Sequence, residues 1–171
     1  MYLEPPTPRG PNGTAVTYDG FVLEPQSSPA RGFFDAPVTV TLHTGTPGAG
    51  IRYTLNGSEP TETTGTLYTA PVQVAPGGGK GVVNLRAVAY ASGLFPSEVT
   101  THSYIFVSSV LTQTGTPTGF PTTWNGQPAD YQVDPDVIND PGHATLVRNG
   151  LTAIPTISIA THVDNLFNAS T

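Results

Sequence analysis

Three aromatic residues lie close together in a turn-rich stretch of the chain, at Phe120, Trp124 and Tyr131. An exposed aromatic ring in a polar loop can stack on the apolar face of a sugar ring. A group of rings can also cover the joint between two parts of a protein, where the rings are partly buried. The sequence leaves both roles open; we favour the joint and keep sugar stacking as the alternative.

Four carboxylates occur in the same stretch, at Asp130, Asp134, Asp136 and Asp140. Oxygen-rich loops can bind calcium, but this spacing differs from the EF-hand, which needs Gly at its sixth position and Glu at its twelfth. Pro135 and Pro141 each follow an aspartate, an order typical of a helix N-cap. Turn and cap roles are therefore the favoured interpretation, and calcium, the one cofactor considered, stays as the alternative.

A glycine-rich loop, Gly77–Gly81 with Lys80 inside it, resembles a phosphate-binding loop only superficially. Such a loop needs Ser or Thr directly after the lysine, to bind magnesium, and a helix immediately afterwards. Here Gly81 follows the lysine, and the next residues alternate like a strand. The pattern predicts a hairpin loop.

Catalytic patterns are missing from the sequence. The chain has no Cys, which removes a thiol nucleophile, disulfides and Cys-ligated zinc together. No serine lies in a G-x-S-x-G setting. The four histidines are far apart in sequence, and Glu59 and Glu62 flank a proline in a predicted turn. We therefore expect no enzyme activity and no catalytic residue.

Composition limits the partners. Charged residues make up 11% of the chain, against about 25% in an average protein, and the formal net charge is −6. The six Lys and Arg residues are scattered, so no basic patch is available for nucleic acid. No apolar run approaches the roughly 20 residues of a membrane helix. We expect protein partners, either neighbouring domains or identical chains, with polysaccharide as the alternative.

The elements that position these residues are mostly short strands. Apolar and polar residues alternate over 37–43, 51–55 and 82–90, and turn residues separate six or seven such runs. The pattern predicts an all-β fold, an immunoglobulin- or fibronectin-III-like sandwich with a C-terminal helix-plus-strand appendage. The side chains predicted to face inward are Val38, Val40, Leu42, Ile51, Tyr53, Leu55, Leu85, Ala87 and Ala89.

We divide the chain into three parts. Residues 1–25 are predicted to be a linker rich in Pro and Gly, without a regular ladder apart from a strand signal at 21–23, and residues 26–107 the sandwich. Residues 108–171 are predicted to be turn-rich, with one helix at about 141–154 and one strand at about 156–163. A helix and a strand with nothing after them are typical of the start of a truncated second domain.

The middle of the chain carries a specific motif, Ile51-Arg52-Tyr53-Thr54-Leu55-Asn56-Gly57-Ser58-Glu59-Pro60-Thr61, between Ala36–Leu42 and Leu85–Tyr90. With these flanking runs it resembles the Ig-like C-terminal domain of chitobiases and β-hexosaminidases, over residues of about 26–107. The resemblance implies an accessory module, because the hexosaminidase catalytic carboxylates lie in a separate barrel that this chain lacks.

Two further resemblances concern the ends of the chain. Phe120–Trp124, Ala129–Tyr131, Asp134–Asp140 and Ile154–Ile159 resemble the opening segment of CotH-type (spore coat protein H) domains. Some members of that family are atypical kinases, but their nucleotide and metal residues lie further downstream than this chain reaches. At the N-terminus, Tyr2-Leu3 with the following prolines resembles the exit of a lamin-tail domain.

Together these observations predict a structural spacer or assembly module of a large bacterial protein that is secreted or displayed at the cell surface. The N-terminus has no signal-peptide pattern, so we expect any such signal upstream. The alternatives are a carbohydrate-binding accessory module and the N-terminal part of a CotH-type kinase protein. The predicted tail strand needs a partner for its backbone; we favour a neighbouring molecule over the sandwich itself.

Overall fold

The computed structural model describes residues 2–4, 16–161 and 164–167. It contains twelve short strands and four helices in these ranges. The strands are β1 (Tyr2–Glu4), β2 (Val16–Tyr18), β3 (Gln26–Ser28), β4 (Gly32–Phe34), β5 (Val38–His43), β6 (Gly50–Thr54), β7 (Thr66–Leu67), β8 (Val72–Val74), β9 (Val82–Tyr90), β10 (Thr100–Phe106), β11 (Thr123–Trp124) and β12 (Gln127–Pro128). The helices are α1 (Val107–Leu111), α2 (Pro135–Ile138), α3 (Pro141–Ala153) and α4 (Asp164–Phe167).

Two sheets form the body of the molecule. One has five strands in the order β4-β10-β9-β6-β7, and the other has three in the order β3-β5-β8. All neighbouring pairs are antiparallel except β10 and β4, which are parallel. The chain changes sheets between β3 and β4, at Pro29. This arrangement confirms the predicted all-β, Ig-like sandwich with a short C-terminal helical region.

The core lies between the two sheets. Alternating residues of β5, β8, β9 and β10 point inward and are almost fully buried, as expected when one face of each strand packs on the opposite sheet. Tyr104 and Phe106 are the largest buried side chains. The Tyr104 hydroxyl donates a hydrogen bond to the Pro29 carbonyl at 2.8 Å, across the point where the chain changes sheets. Burial raises the pKa of Tyr104.

The predicted inward set holds with one exception. Val40, Leu42, Ile51, Leu85, Ala87 and Ala89 are buried, and Val38 and Tyr53 are partly buried against them. The prediction for Leu55 is wrong, because 37% of this residue is exposed. β6 ends at Thr54, and the alternation of inward and outward positions holds only within the strand.

The N-terminal prediction also needs correction. Residues 2–4 and 16–18 form an antiparallel ladder, β1 with β2, where we expected none. The prolines of this region, at positions 5, 6, 8 and 11, lie between the two strands and so do not interrupt their hydrogen bonds. Conversely, the strand signal at Phe21–Leu23 yields only an isolated bridge between Phe21 and Phe95. The rest of the predicted linker, residue 1 and residues 5–15, is outside the described residues.

After the sandwich the chain becomes helical and irregular. The helix predicted at 141–154 is present as α3, which starts at the expected proline after Asp140. The strand predicted at 156–163 is wrong over 156–161, which have no strand structure; residues 162–163 are outside the described residues. No described strand forms a ladder with residues 156–161, so their alternating pattern does not produce a strand. No helix in the described ranges is long and apolar enough to cross a membrane.

Candidate functional site

The three aromatic residues predicted as a group do come together. The ring centroid of Tyr131 is 5.3 Å from that of Phe120 and 5.2 Å from that of Trp124, with interplanar angles of 69° and 81°. Both contacts are edge-to-face, the geometry by which aromatic rings pack on one another. The rings therefore form a packed cluster with Tyr131 at its centre.

The aromatic cluster contacts the turn between β8 and β9. The Lys80 ammonium lies 5.4 Å from the centre of the Phe120 ring, a cation–π distance. The Thr118 N–H donates to the Gly78 carbonyl at 2.9 Å. The glycine-rich turn connects β8 of one sheet to β9 of the other, and these two strands do not pair, so the prediction of a hairpin loop is wrong. The chain crosses between the sheets here, and the turn forms one wall of the joint between the sandwich and the C-terminal region.

Gln113 links the two sides of this joint. Its side-chain oxygen accepts a hydrogen bond from the Gly81 N–H at 3.1 Å, and its amide nitrogen donates to the Tyr131 carbonyl at 2.7 Å. One side chain therefore satisfies a backbone group of the sandwich and another of the aromatic segment. The role of Gln113 is not predictable from the sequence, because a single glutamine in a turn-rich stretch carries no pattern.

Gly81 allows the joint to close. A Cβ atom at this position would lie 2.5 Å from the backbone nitrogen and the Cγ2 of Val110 in α1. Any larger residue would push α1 away from the turn, so the glycine is needed here for close approach of two backbone segments. The sequence pattern assigns the same residue only to a loop.

Trp124 is the most exposed member of the aromatic cluster, at 46%. It ends β11, and the turn that follows it has positive φ at Asn125 (47°) and Gly126 (77°). Positive φ at both central residues is typical of a two-residue hairpin turn. Trp124 therefore sits at the end of a small hairpin, with part of its ring on the surface and one edge against Tyr131.

The four aspartates act locally. Asp134 Oδ1 accepts from the Asp136 N–H at 2.9 Å and caps α2, and Asp140 Oδ1 accepts from the Gly142 N–H at 2.7 Å and caps α3. Asp130 Oδ1 accepts from the Gln132 N–H at 3.0 Å. Among residues 16–161, and in the two short described ranges besides, no three His, Asp or Glu side chains group as metal ligands would.

Asp140 also interacts with the next turn of its own helix. The Gly142 N–H and the His143 side chain, whose Nδ1 is 3.1 Å from Asp140 Oδ2, lower the pKa of the carboxyl. These are the partners of an N-cap carboxylate rather than of a metal ligand. The cap interpretation of Asp134 and Asp140 agrees with this geometry.

Helix α3 contacts the sandwich through Arg148. This guanidinium forms an ion pair with Asp35, which follows β4, and donates to the Ser108 hydroxyl at 3.1 Å. Beyond the helix, the Ser158 hydroxyl lies 2.6 Å from the hydroxyl of Ser103, which is a residue of β10. The C-terminal region therefore lies against the sandwich in the same molecule, although its described residues add no strand to either sheet.

The sequence motif of residues 51–61 has a structural explanation. Arg52 donates from Nε to the Glu62 carbonyl and from Nη1 to the Gly65 carbonyl, both at 2.9 Å. Arg86 of β9 donates to the Gly57 carbonyl and pairs with Glu59, both at 3.2 Å. Two arginines thus hold the long loop between β6 and β7 closed. The charged residues of the motif, Arg52 and Glu59, both take part in these contacts.

Comparison with known proteins agrees with this geometry. Residues 29–101 match the family model described as "Chitobiase/beta-hexosaminidase C-terminal domain", a segment that contains β4 to β9 and fewer than half of the 171 residues. No curated protein and no solved structure was found to match the chain. The CotH-type and lamin-tail resemblances stay predictions. The sandwich of this chain, but not the region that follows it, is therefore similar to the chitobiase/beta-hexosaminidase C-terminal domain.

Proposed function

We propose that this chain is a non-catalytic spacer and assembly module of a large bacterial protein that is secreted or displayed at the cell surface. The match of residues 29–101 to a C-terminal, non-catalytic domain family supports the accessory role. The observation that carries the spacer role is the joint, where Gln113, the aromatic cluster and α3 hold the following region against the sandwich. Such a connector fixes the orientation of whatever comes next.

The joint can be tested with one substitution and a matched control. Gln113→Ala removes the two hydrogen bonds that this side chain makes across the joint, so amides of residues 114–131 should exchange with solvent faster, since local opening becomes easier. Gln127→Ala, on the exposed β11–β12 hairpin, is the control and should leave exchange unchanged. Equal protection in Gln113→Ala and the unmodified chain would argue against a connector held in this way.

Assembly is proposed to use the segment after α3. Ile157 and Ile159 are 88% and 75% exposed, and they flank Ser158, whose hydroxyl contacts Ser103 of the sandwich. Two exposed β-branched residues, in a segment that forms no ladder with any described strand, suit strand addition to another chain. Light scattering over a concentration series should show association that the double change Ile157→Ser, Ile159→Ser abolishes. A monomer at all concentrations would remove this part of the proposal.

Carbohydrate binding is the second candidate, and the exposure of Trp124 favours it. A single ring beside a polar hairpin can stack on one sugar residue. The test is retention on insoluble chitin and cellulose, with Trp124→Ala compared with the unmodified chain. Saturable retention that is lost in Trp124→Ala would replace the spacer role with a polysaccharide-binding one.

A further inference from the structure

A second surface, distant in sequence from the aromatic cluster, forms a groove of about 510 Å³. It lies where the segment between β2 and β3 meets the loop between β9 and β10. Its apolar lining includes Phe21, Leu23, Phe95 and Pro96, and its acidic lining is Glu24 and Glu98. We call these six residues the acidic groove. None of them belongs to the joint described above.

The apolar side chains of the acidic groove are exposed although the backbone beneath them is fixed. Phe21 and Leu23 are 55% and 60% exposed, whereas Val22 between them is buried in the core. The Val22 N–H donates to the Phe95 carbonyl at 2.9 Å, and the Leu23 N–H donates to the Thr46 hydroxyl at 2.8 Å. The exposure is therefore that of an ordered surface, and it does not come from a frayed end.

Gly45 lies directly against this surface. A Cβ atom at Gly45 would come within 2.9 Å of the Leu23 side chain, so a larger residue would displace Leu23. The aromatic side of the groove is also held in place, because Tyr18 packs edge-to-face on Phe95 with ring centroids 5.1 Å apart. The shape of the acidic groove thus depends on contacts from β2 and from the loop after β5.

The charge of the acidic groove indicates the chemistry of a partner that would fit it. Within the described residues, neither Glu24 nor Glu98 takes part in an ion pair, and the chain as a whole has a formal net charge of −6. Carboxylates beside aromatic and aliphatic side chains are complementary to a cation on an apolar stem, as in Lys and Arg. The Phe21 and Phe95 rings meet at 66°, which does not provide a flat stacking surface for a sugar.

The geometry points to the acidic groove as a docking site for a partner protein segment that carries Lys or Arg next to apolar residues. The cation would lie between the two carboxylates and the aromatic ring faces, where cation–π attraction adds to charge attraction. This inference deepens the assembly role proposed above and rests on it. The joint is a separate structure, so the spacer role does not depend on the groove.

The test is a titration of the isotope-labelled intact chain, followed by NMR amide shifts, with two five-residue peptides, Ac-Leu-Arg-Leu-Arg-Leu-NH2 and its Gln-for-Arg counterpart. Shifts are expected at residues 21–26 and 95–98 with the Arg peptide, and its binding should weaken as salt is raised. Glu24→Gln with Glu98→Gln should reduce the affinity by roughly tenfold, as two exposed charge pairs are lost. Glu62→Gln, an exposed acid on the β6–β7 loop, is the matched control and should bind as the unmodified chain does.

Three outcomes would overturn the inference. Equal affinity of the two peptides would show that charge does not select the ligand. Unchanged binding in the Glu24→Gln, Glu98→Gln variant would place the peptide elsewhere, and Phe21→Ser provides an independent check, with circular dichroism confirming that both variants fold. Shifts at the acidic groove with a trimer of N-acetylglucosamine, and none with the Arg peptide, would assign the groove to a sugar. Faster exchange in Gln113→Ala would still support the spacer role in each case.

Discussion

The sandwich and the region that follows it are ordered by different forces. In the sandwich, Val40, Val74, Leu85 and Tyr104 have no exposed surface. The four longest strands, β5, β6, β9 and β10, each have a hydrogen-bonded neighbour on both sides. Helix α3, in contrast, has no buried residue. It is held by a cap at Asp140, by the Arg148 ion pair and by partial burial of one face.

This difference predicts how each region responds to perturbation. Apolar burial contributes about 25 cal/mol per Å² and is not screened by salt, whereas exposed ion pairs are screened and exposed caps compete with water. We therefore expect the C-terminal region to open locally at a lower free energy than the sandwich unfolds. The following changes test that contrast.

The largest effect is expected from truncating the core. Leu85→Ala removes a fully buried side chain of β9 and should lower the free energy of unfolding by about 2–5 kcal/mol, because transfer and cavity costs add. Leu146→Ala, which changes a residue of α3 that is 65% exposed, should alter it by less than about 0.5 kcal/mol. Urea denaturation of both variants measures the free energy of unfolding. A similar loss of this free energy in the two variants would mean that Leu146 of α3 is packed as tightly as a core residue.

A smaller effect is expected from acid, through His102. This residue lies on the same face of β10 as Tyr104, and both of its ring nitrogens are buried without a hydrogen-bond partner in the described ranges. Burial, and secondarily the charge of Arg31, lowers the pKa of His102 in the folded chain. Below pH about 6.5 the unfolded chain therefore binds the proton more readily, so stability should fall as pH drops through that value.

The urea midpoint measured between pH 8 and pH 5 tests this expectation. His102→Phe, which has no titrating group, should show a weaker decline than the unmodified chain over that range. His43→Asn, at an exposed position of β5, is the control and should keep the decline. A decline that persists fully in His102→Phe would have to come from other groups.

The ion pair of α3 should matter less for global stability. Arg148 and Asp35 are 38% and 77% exposed, so Arg148→Met should cost only about 0.2–1 kcal/mol. Its main consequence should be local, with faster amide exchange over 141–153 and little change in β9. High salt should reproduce part of this change in the unmodified chain. Equal acceleration in β9 would show that the helix and the sandwich open as one unit.

The smallest effect is expected at the cap of α3. The Gly142 N–H and His143 hold the pKa of Asp140 below its usual value, so the cap is present above pH about 4 and is lost as pH falls through the folded-state pKa. Asp140→Asn should keep the cap without its pH dependence, because Asn also caps helices. The protection of the amides of residues 142–144, taken relative to intrinsic exchange at the same pH between pH 5 and pH 2, should therefore fall in the unmodified chain and stay level in the variant.

Local patterns predicted much of the sandwich because they depend on neighbouring residues alone. Alternation placed β9 at 82–90 and put β5 and β6 within one residue of their ends. It missed β4, because three residues are too few to show a period, and the parallel pairing of β4 with β10 depends on where the chain changes sheets. The same alternation predicted a strand at 156–163 that the described part of that segment does not form.

In the candidate sites too, local sequence patterns predicted some features, and others depended on how the chain packs. The types and spacing of Phe120, Trp124 and Tyr131 were enough to predict an aromatic group, and Pro141 after an aspartate was enough to predict the start of α3. The role of the group depends on Gln113 and Gly81, and α3 is held by Arg148 and Asp35, which are 113 positions apart. Periodicity, turns and caps are properties of adjacent residues and are determined by the sequence itself, whereas contacts between distant residues exist only once the sheets have packed and brought those backbones together.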